Sequence, residues 1–259
     1  MNLTVIALIT AVSLFTGMLL FLEIGRRIGS TRLARDPEGA HQGLSAVEGA
    51  VFALLGLLIA FTFSGAASRF EDRRHLIGQE ANAIGTAYLR IDLLPKNTQP
   101  ELRDLFRRYL DLRTVTYRNA RDIADTNNKL NQAAALQSEI WDKAILASLR
   151  PEAPAQAAML LLPALNDMID ITTTRTVATQ NHPPRIIYLL LCGLSLVGAL
   201  LAGYGMSCSR GRSLLHVAAF ASIISLTVYV ILDLEYPRLG FIRIDTADQV
   251  LIELRKSMK

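Results

Sequence analysis

The sequence predicts an all-α membrane protein. Four transmembrane helices form two hairpins that flank a large extramembrane helical domain, and the second span continues into that domain. Three observations predict this. Apolar runs of about 20 residues, long enough to cross a hydrocarbon core of about 30 Å, occur towards both ends of the 259-residue chain. The middle is charged, with apolar residues returning at helical spacing. The stretch from Gly49 to Arg90 carries no charge as far as Ala67, turns densely charged, and meets no proline until Pro95. One helix is therefore expected to leave the bilayer and run on into water, over about 65 Å.

The expected boundaries follow the charge. Residues 1–67 form the first hairpin, 68–184 the helical domain, 185–233 the second hairpin, and 234–259 a tail with a short amphipathic helix. Leu3 to Leu22 is apolar or neutral, and Glu23, Arg26 and Arg27 follow it. A secretory signal carries its positive charge before the apolar run, so this run is expected to be retained as the first span. The connection beyond holds Arg32, Arg35, Asp36, Pro37 and Glu38, and Glu48 stands at the mouth of the second span.

Pro95 to Pro100 reads as a turn. Thr98-Gln99-Pro100-Glu101 has the form of a capping box with proline at the first helical position. The helix it opens carries Leu102, Leu105, Phe106, Tyr109, Leu112 and Tyr117 on one face. An alanine-rich helix is expected over 130–149, ended by Pro151 and Pro154. The next runs from about Ala155 to Thr179, with Leu160, Leu161, Leu165, Met168 and Ile169 inward and a kink at Pro163. Asp167 and Asp170 share a face there and permit a cation site, although a solvated face is the simpler reading.

Asn181-His182-Pro183-Pro184 is a stiff break. The third span, Ile186 to Met206, carries Gly193, Gly198, Gly203 and Gly205, which allow close helix approach. The fourth runs from Ser213 to Leu232. Asp233 to Arg238 ends the spans with charge and a proline. Residues 241–244 are expected to be extended, and Thr246-Ala247-Asp248-Gln249 to open a short helix with Val250, Leu251 and Leu254 inward.

Charge excludes some functions. The formal net charge is +4, but from Arg69 to Arg175 there are 15 Lys or Arg against 14 Asp or Glu. Nucleic-acid binding needs a one-signed patch, and none is visible. The two cysteines, Cys192 and Cys208, would lie about 24 Å apart along a straight helix, too far for a disulfide within it. The four histidines, His41, His75, His182 and His216, are scattered. His75 shares a helix face with Glu71 and Gln79, too few ligands for a metal site. No Ser-His-Asp, His-Glu-x-x-His or phosphate-loop pattern is present, so neither an enzyme nor a metal protein is expected. The positive-inside rule does not choose an orientation. Arg26, Arg27, Arg32, Arg35, Arg210 and Arg212 flank one side, and Arg69, Arg73, Arg74, Arg185, Arg238 and Arg243 the other.

Five strings carry a resemblance: EGAVFALLGLLIAFTFSGAASRF, EANAIGTAYLRIDLLP, LLPALNDMIDITTTR, HPPR and VYVILDLEYPRLGFIRID. Together they resemble the bacterial bestrophin-like family over nearly the whole chain. The resemblance implies a multi-pass protein of the bacterial inner membrane. Through the bestrophins it implies a homo-oligomer, a pentamer in those channels, that conducts chloride or another small anion along its second span. The acidic calcium clasp of animal bestrophins has no counterpart here, so no cofactor is implied.

On the second span Leu55, Ile59 and Phe63 fall at i, i+4 and i+8. In a ring of subunits that stripe could gate by dewetting, with Thr62 and Ser64 touching a partly dehydrated ion. Arg69, Arg73 and Arg74 just beyond, and Glu48 at the other end, are the candidate mouth charges. The alternative is a non-conducting membrane scaffold or signalling protein, because Leu, Ile and Phe at helical spacing also describe any packed or lipid-facing span.

Overall fold

The computed structural model describes residues 3–35, 44–118, 123–208, 214–238 and 240–258. His41, Arg210, Arg212 and the breaking residues Asp36 to Glu38 lie outside them. So does the Tyr117 side chain. The described residues are helical almost throughout: α1 (Leu3–Arg35), α2 (Leu44–Arg90), α3 (Gln99–Arg118), α4 (Ile123–Ser148), α5 (Ala155–Gln180), α6 (Arg185–Gly205), α7 (Leu214–Glu235) and α8 (Gln249–Ser257). At about 1.5 Å per residue the 47 residues of α2 make a rod of roughly 70 Å. Among the described residues, four helical stretches are long and apolar enough to cross a membrane: Thr4–Arg35, Ala46–Leu93, Ala155–Gly205 and Leu215–Glu235. The third contains the break at 181–184 between α5 and α6.

Packing divides the chain into two units. The first comprises Met1–Arg69 and His182–Phe241. Here α1 packs along both α6 and α7. Its inward side is Ala7, Ala11, Leu14, Met18 and Leu22, a spacing of three and four that keeps one stripe facing its neighbours. The contact closes to backbone distance where glycine allows it. A methyl group at Gly25 would collide with the Leu200 carbonyl, and one at Gly203 with the Leu22 carbonyl.

The second unit comprises Phe70–Asn181 and Ile242–Lys259. Its core takes Ile77 and Ile84 from α2, Leu102, Phe106, Tyr109 and Leu110 from α3, Ile140 from α4, and Leu161, Leu165 and Met168 from α5. The terminal stretch joins this core from residue 242 through Leu251 and Met258.

Several local expectations shift. Leu160 and Val250 are exposed rather than inward. Each precedes by about 100° the residue that faces the core, Leu161 and Leu251 respectively. Thr98 donates its hydroxyl back to the Pro95 carbonyl at 2.8 Å. The Thr246 box does not start α8, because turns ending on Ala247 N–H and Asp248 N–H occupy that segment first. Residues 240–242 form bends and 243–244 take no regular structure, with no strand among the described residues.

The second unit also has a polar interior. Glu80 on α2 is fully buried, with Arg113 Nε at 2.6 Å and Arg175 Nη1 on its other oxygen. Gln137 donates to Tyr109 Oη and Thr172 Oγ1, each at 2.9 Å. The sequence reading missed both groups.

Candidate functional site

The apolar part of α2 touches its own unit on one side only. Leu55 is 2% exposed, and its Cδ2 would lie 3.7 Å from a methyl group at Gly198 of α6. Phe52 flanks it and stands edge-on to Phe220 of α7, centroids 5.9 Å apart. Each i to i+4 step turns a helix by about 40°, so the stripe drifts about 80° from Leu55 to Phe63. Ile59 is half-buried, and Phe63 is 43% exposed. The expected stripe is therefore split. Leu55 holds α2 against α6, while Phe63 lies at the edge of an open face with Leu57, Phe61 and Ser64. Thr62 donates its hydroxyl to its own helix, at the Leu58 and Ile59 carbonyls.

The four candidate mouth charges do not form one group. Glu48 is half-buried at the start of α2, and its carboxylate would lie 3.2 Å from a methyl group at Gly205. Arg69 turns into the first unit, where Nε, at 2.9 Å, and Nη2 both reach Glu235 Oε1. The second oxygen of Glu235 lies 3.2 Å from His182 Nδ1, and the His182 ring lies against Tyr236 at 4.7 Å. Glu235 is thus a buried carboxylate that joins α2, α7 and the segment before α6.

Arg73 belongs to the second unit and is 5% exposed. It donates to the Ala178 and Asn181 carbonyls at 3.0 Å each. Those carbonyls close α5, where a helix leaves acceptors without intrahelical partners and favours positive charge. Arg73 serves as a cap rather than a free charge. Arg74 remains exposed, beside Glu71 at 3.2 Å on its own helix.

Sequence reading missed Glu235 and His182 as partners. The available signal was an acid two residues beyond another, Asp233, at the end of a span. Asp233 is also occupied: its Oδ1 accepts the Phe241 N–H at 3.1 Å and the Tyr229 hydroxyl at 3.4 Å. The segment after α7 is thereby folded back on its last turn.

A variant tests the Glu235 hub. Glu235→Ala is expected to lower stability by about 1–3 kcal/mol, because it strips Arg69 and His182 of a buried acceptor. The Arg69→Ala, Glu235→Ala double variant should cost less than the sum of the two single changes. Strict additivity in thermal unfolding would show that the pair is not coupled.

Among described residues, no group of three or more His, Cys, Asp or Glu could hold a metal ion. Comparison with curated proteins found no match. Among solved structures, single-residue variants of a bacterial bestrophin homologue from Klebsiella pneumoniae share the fold. One superposes with a TM-score of 0.65 at 14% identity, covering 96% of this chain and 99% of its own. Another gives 0.62 at 13%, covering 93% and 98%. At such identity the likeness is one of fold. The sequence comparison goes further, since the bestrophin-like domain matches residues 11–249. On that match the chain belongs to the bestrophin-like family.

Proposed function

We propose that copies of this chain assemble around α2 into a membrane pore that conducts chloride or another small anion. One observation carries the reading beyond family resemblance. α2 is the least covered of the four apolar stretches, with 11% of its most apolar window buried within the chain against 22–28% in the others. A lining helix has to leave a face for the lumen and flanks for the neighbouring copies. Phe63 and Ile59 then supply an apolar narrowing, where a dry constriction resists ion passage. Ser64 offers a hydroxyl beside it. Leu55 acts from behind, fixing the rotation of α2 through Gly198. Arg74, the exposed one of the three arginines, is the cation this reading assigns to raising local anion concentration, while Arg69 is engaged with Glu235 and Arg73 with the end of α5. Glu48 stands at the opposite end. Five subunits is the number the bestrophin resemblance supports.

The test is flux of chloride, and of other ions, from liposomes holding the purified protein. Wild type is expected to pass chloride, and Phe63→Ala to pass it several-fold faster because the constriction widens and wets. Ile59→Ala should act in the same direction with a smaller effect. A folded, reconstituted protein that passes no ion of either sign would sink the pore. It would leave the non-conducting scaffold or signalling reading.

A further inference from the structure

The first unit contains a cavity of about 270 Å³ between α1, the end of α6 and the start of α7. Its apolar walls are Leu19, Leu22, Met206 and Val217, and its polar edge is Glu23 and Arg26. Leu19, Leu22, Glu23 and Arg26 fall at i, i+3, i+4 and i+7, so one stripe of α1 supplies both kinds of wall. The apolar run of α1 ends at Leu22 and charge begins at Glu23. The cavity therefore spans the level at which hydrocarbon gives way to headgroups.

Its two charges differ in state. Glu23 is engaged by Arg27 Nε at 3.0 Å. Arg26 is half-buried and has no hydrogen-bond or ion-pair partner among the described residues. Removing a guanidinium from water is unfavourable unless an acceptor replaces the lost hydration. The planar fork of arginine fits the paired oxygens of a phosphate. The volume is below the roughly 300–1,000 Å³ of pockets that enclose a whole small ligand, so the site suits one part of a larger amphiphile.

We propose that this cavity binds a membrane glycerophospholipid. The phosphodiester sits against Arg26, and the upper carbons of one acyl chain lie on Leu19, Leu22, Met206 and Val217. Gly203, also in the wall, keeps α1 and α6 at backbone distance beside the cavity. The site stands on the cavity alone and is independent of whether α2 lines a pore, so a failure of chloride flux leaves it untouched.

The experiment follows thermal unfolding of the full chain in detergent while dioleoylphosphatidylglycerol, dioleoylglycerol or inorganic phosphate is added. The phospholipid should raise Tm in a saturable manner, in wild type and in Arg32→Gln, whose exposed side chain lies further along α1. Arg26→Gln should need at least tenfold more phospholipid for half the shift. Val217→Trp, which fills the cavity and keeps Arg26, should lose the shift as well and covers the case of a poorly folded Arg26→Gln. Dioleoylglycerol and inorganic phosphate should each give little or none. An equal response of Arg26→Gln and wild type would overturn the proposal, as would an undiminished response of Val217→Trp. Dioleoylglycerol matching the phospholipid would reduce the site to an apolar groove. Phosphate matching it would make the site one for a free anion. A loss in Arg32→Gln as large as in Arg26→Gln would reduce the effect to surface charge.

Discussion

Gly203→Leu is expected to leave almost no folded protein. At this position of α6 a single methyl group already meets the Leu22 carbonyl of α1, and Gly25 of α1 meets the Leu200 carbonyl in return. The obstacle in both cases is backbone, which cannot rotate away as a side chain can. Overfilling a core costs about 1–3 kcal/mol where neighbours can adjust. Here the adjustment is separation of α1 from α6, which gives up contacts along the whole helix pair. Apolar surface gains nothing by leaving lipid for another helix, so a membrane-level contact depends on van der Waals fit. Gly193 on the same helix has nothing within 4 Å of such a methyl group, so Gly193→Leu should stay within about 0.5 kcal/mol of wild type. Recovery from size exclusion and thermal unfolding of the two variants make the comparison. A Gly203→Leu protein that unfolds with wild type would show that α1 and α6 do not meet this closely.

The contrast between those glycines marks what a sequence can display. The apolar stretches were legible because a span needs only length and the lack of charge, both visible in one dimension. The continuity of α2 was legible because nothing before Pro95 breaks a helix. Leu55 and Phe63 look equivalent in sequence and face different ways in space, since a drift of about 80° matters only once the position of α6 is known. Gly193 and Gly203 likewise carry the same label, but only Gly203 lies against a carbonyl of α1.

Charge hid more. Arg69, Arg73 and Arg74 read as one basic cluster, yet their partners are Glu235, the end of α5 and Glu71. Two of those three partners are more than 100 positions away in sequence. The near-balance of charge in the middle of the chain suggested solvated faces, and the same balance accommodates a buried carboxylate between two arginines.

That carboxylate supports the second large prediction. Glu80→Gln is expected to destabilise the second unit by about 3–5 kcal/mol, the range for breaking a buried ion pair from one side. With roughly 2–4 °C per kcal/mol for a chain of this size, the midpoint should fall by about 6–20 °C. Glu71→Gln, nine positions earlier on α2 and well exposed beside Arg74, should change stability by no more than about 1 kcal/mol. The asymmetry arises from what is left behind. Glutamine keeps the shape of Glu80 but holds no charge against Arg113 and Arg175, whose side chains are 0% and 5% exposed. Replacing all three by leucine should be far milder than Glu80→Gln, because it removes the desolvation cost along with the attraction. A midpoint for Glu80→Gln within a degree of wild type would mean that water reaches the triad. If the triple variant instead matches wild type in stability but loses a single cooperative transition, the triad acts through specificity. Its three members come from α2, α3 and α5, and a shift of any one helix along its axis would leave a charge buried without its counterpart.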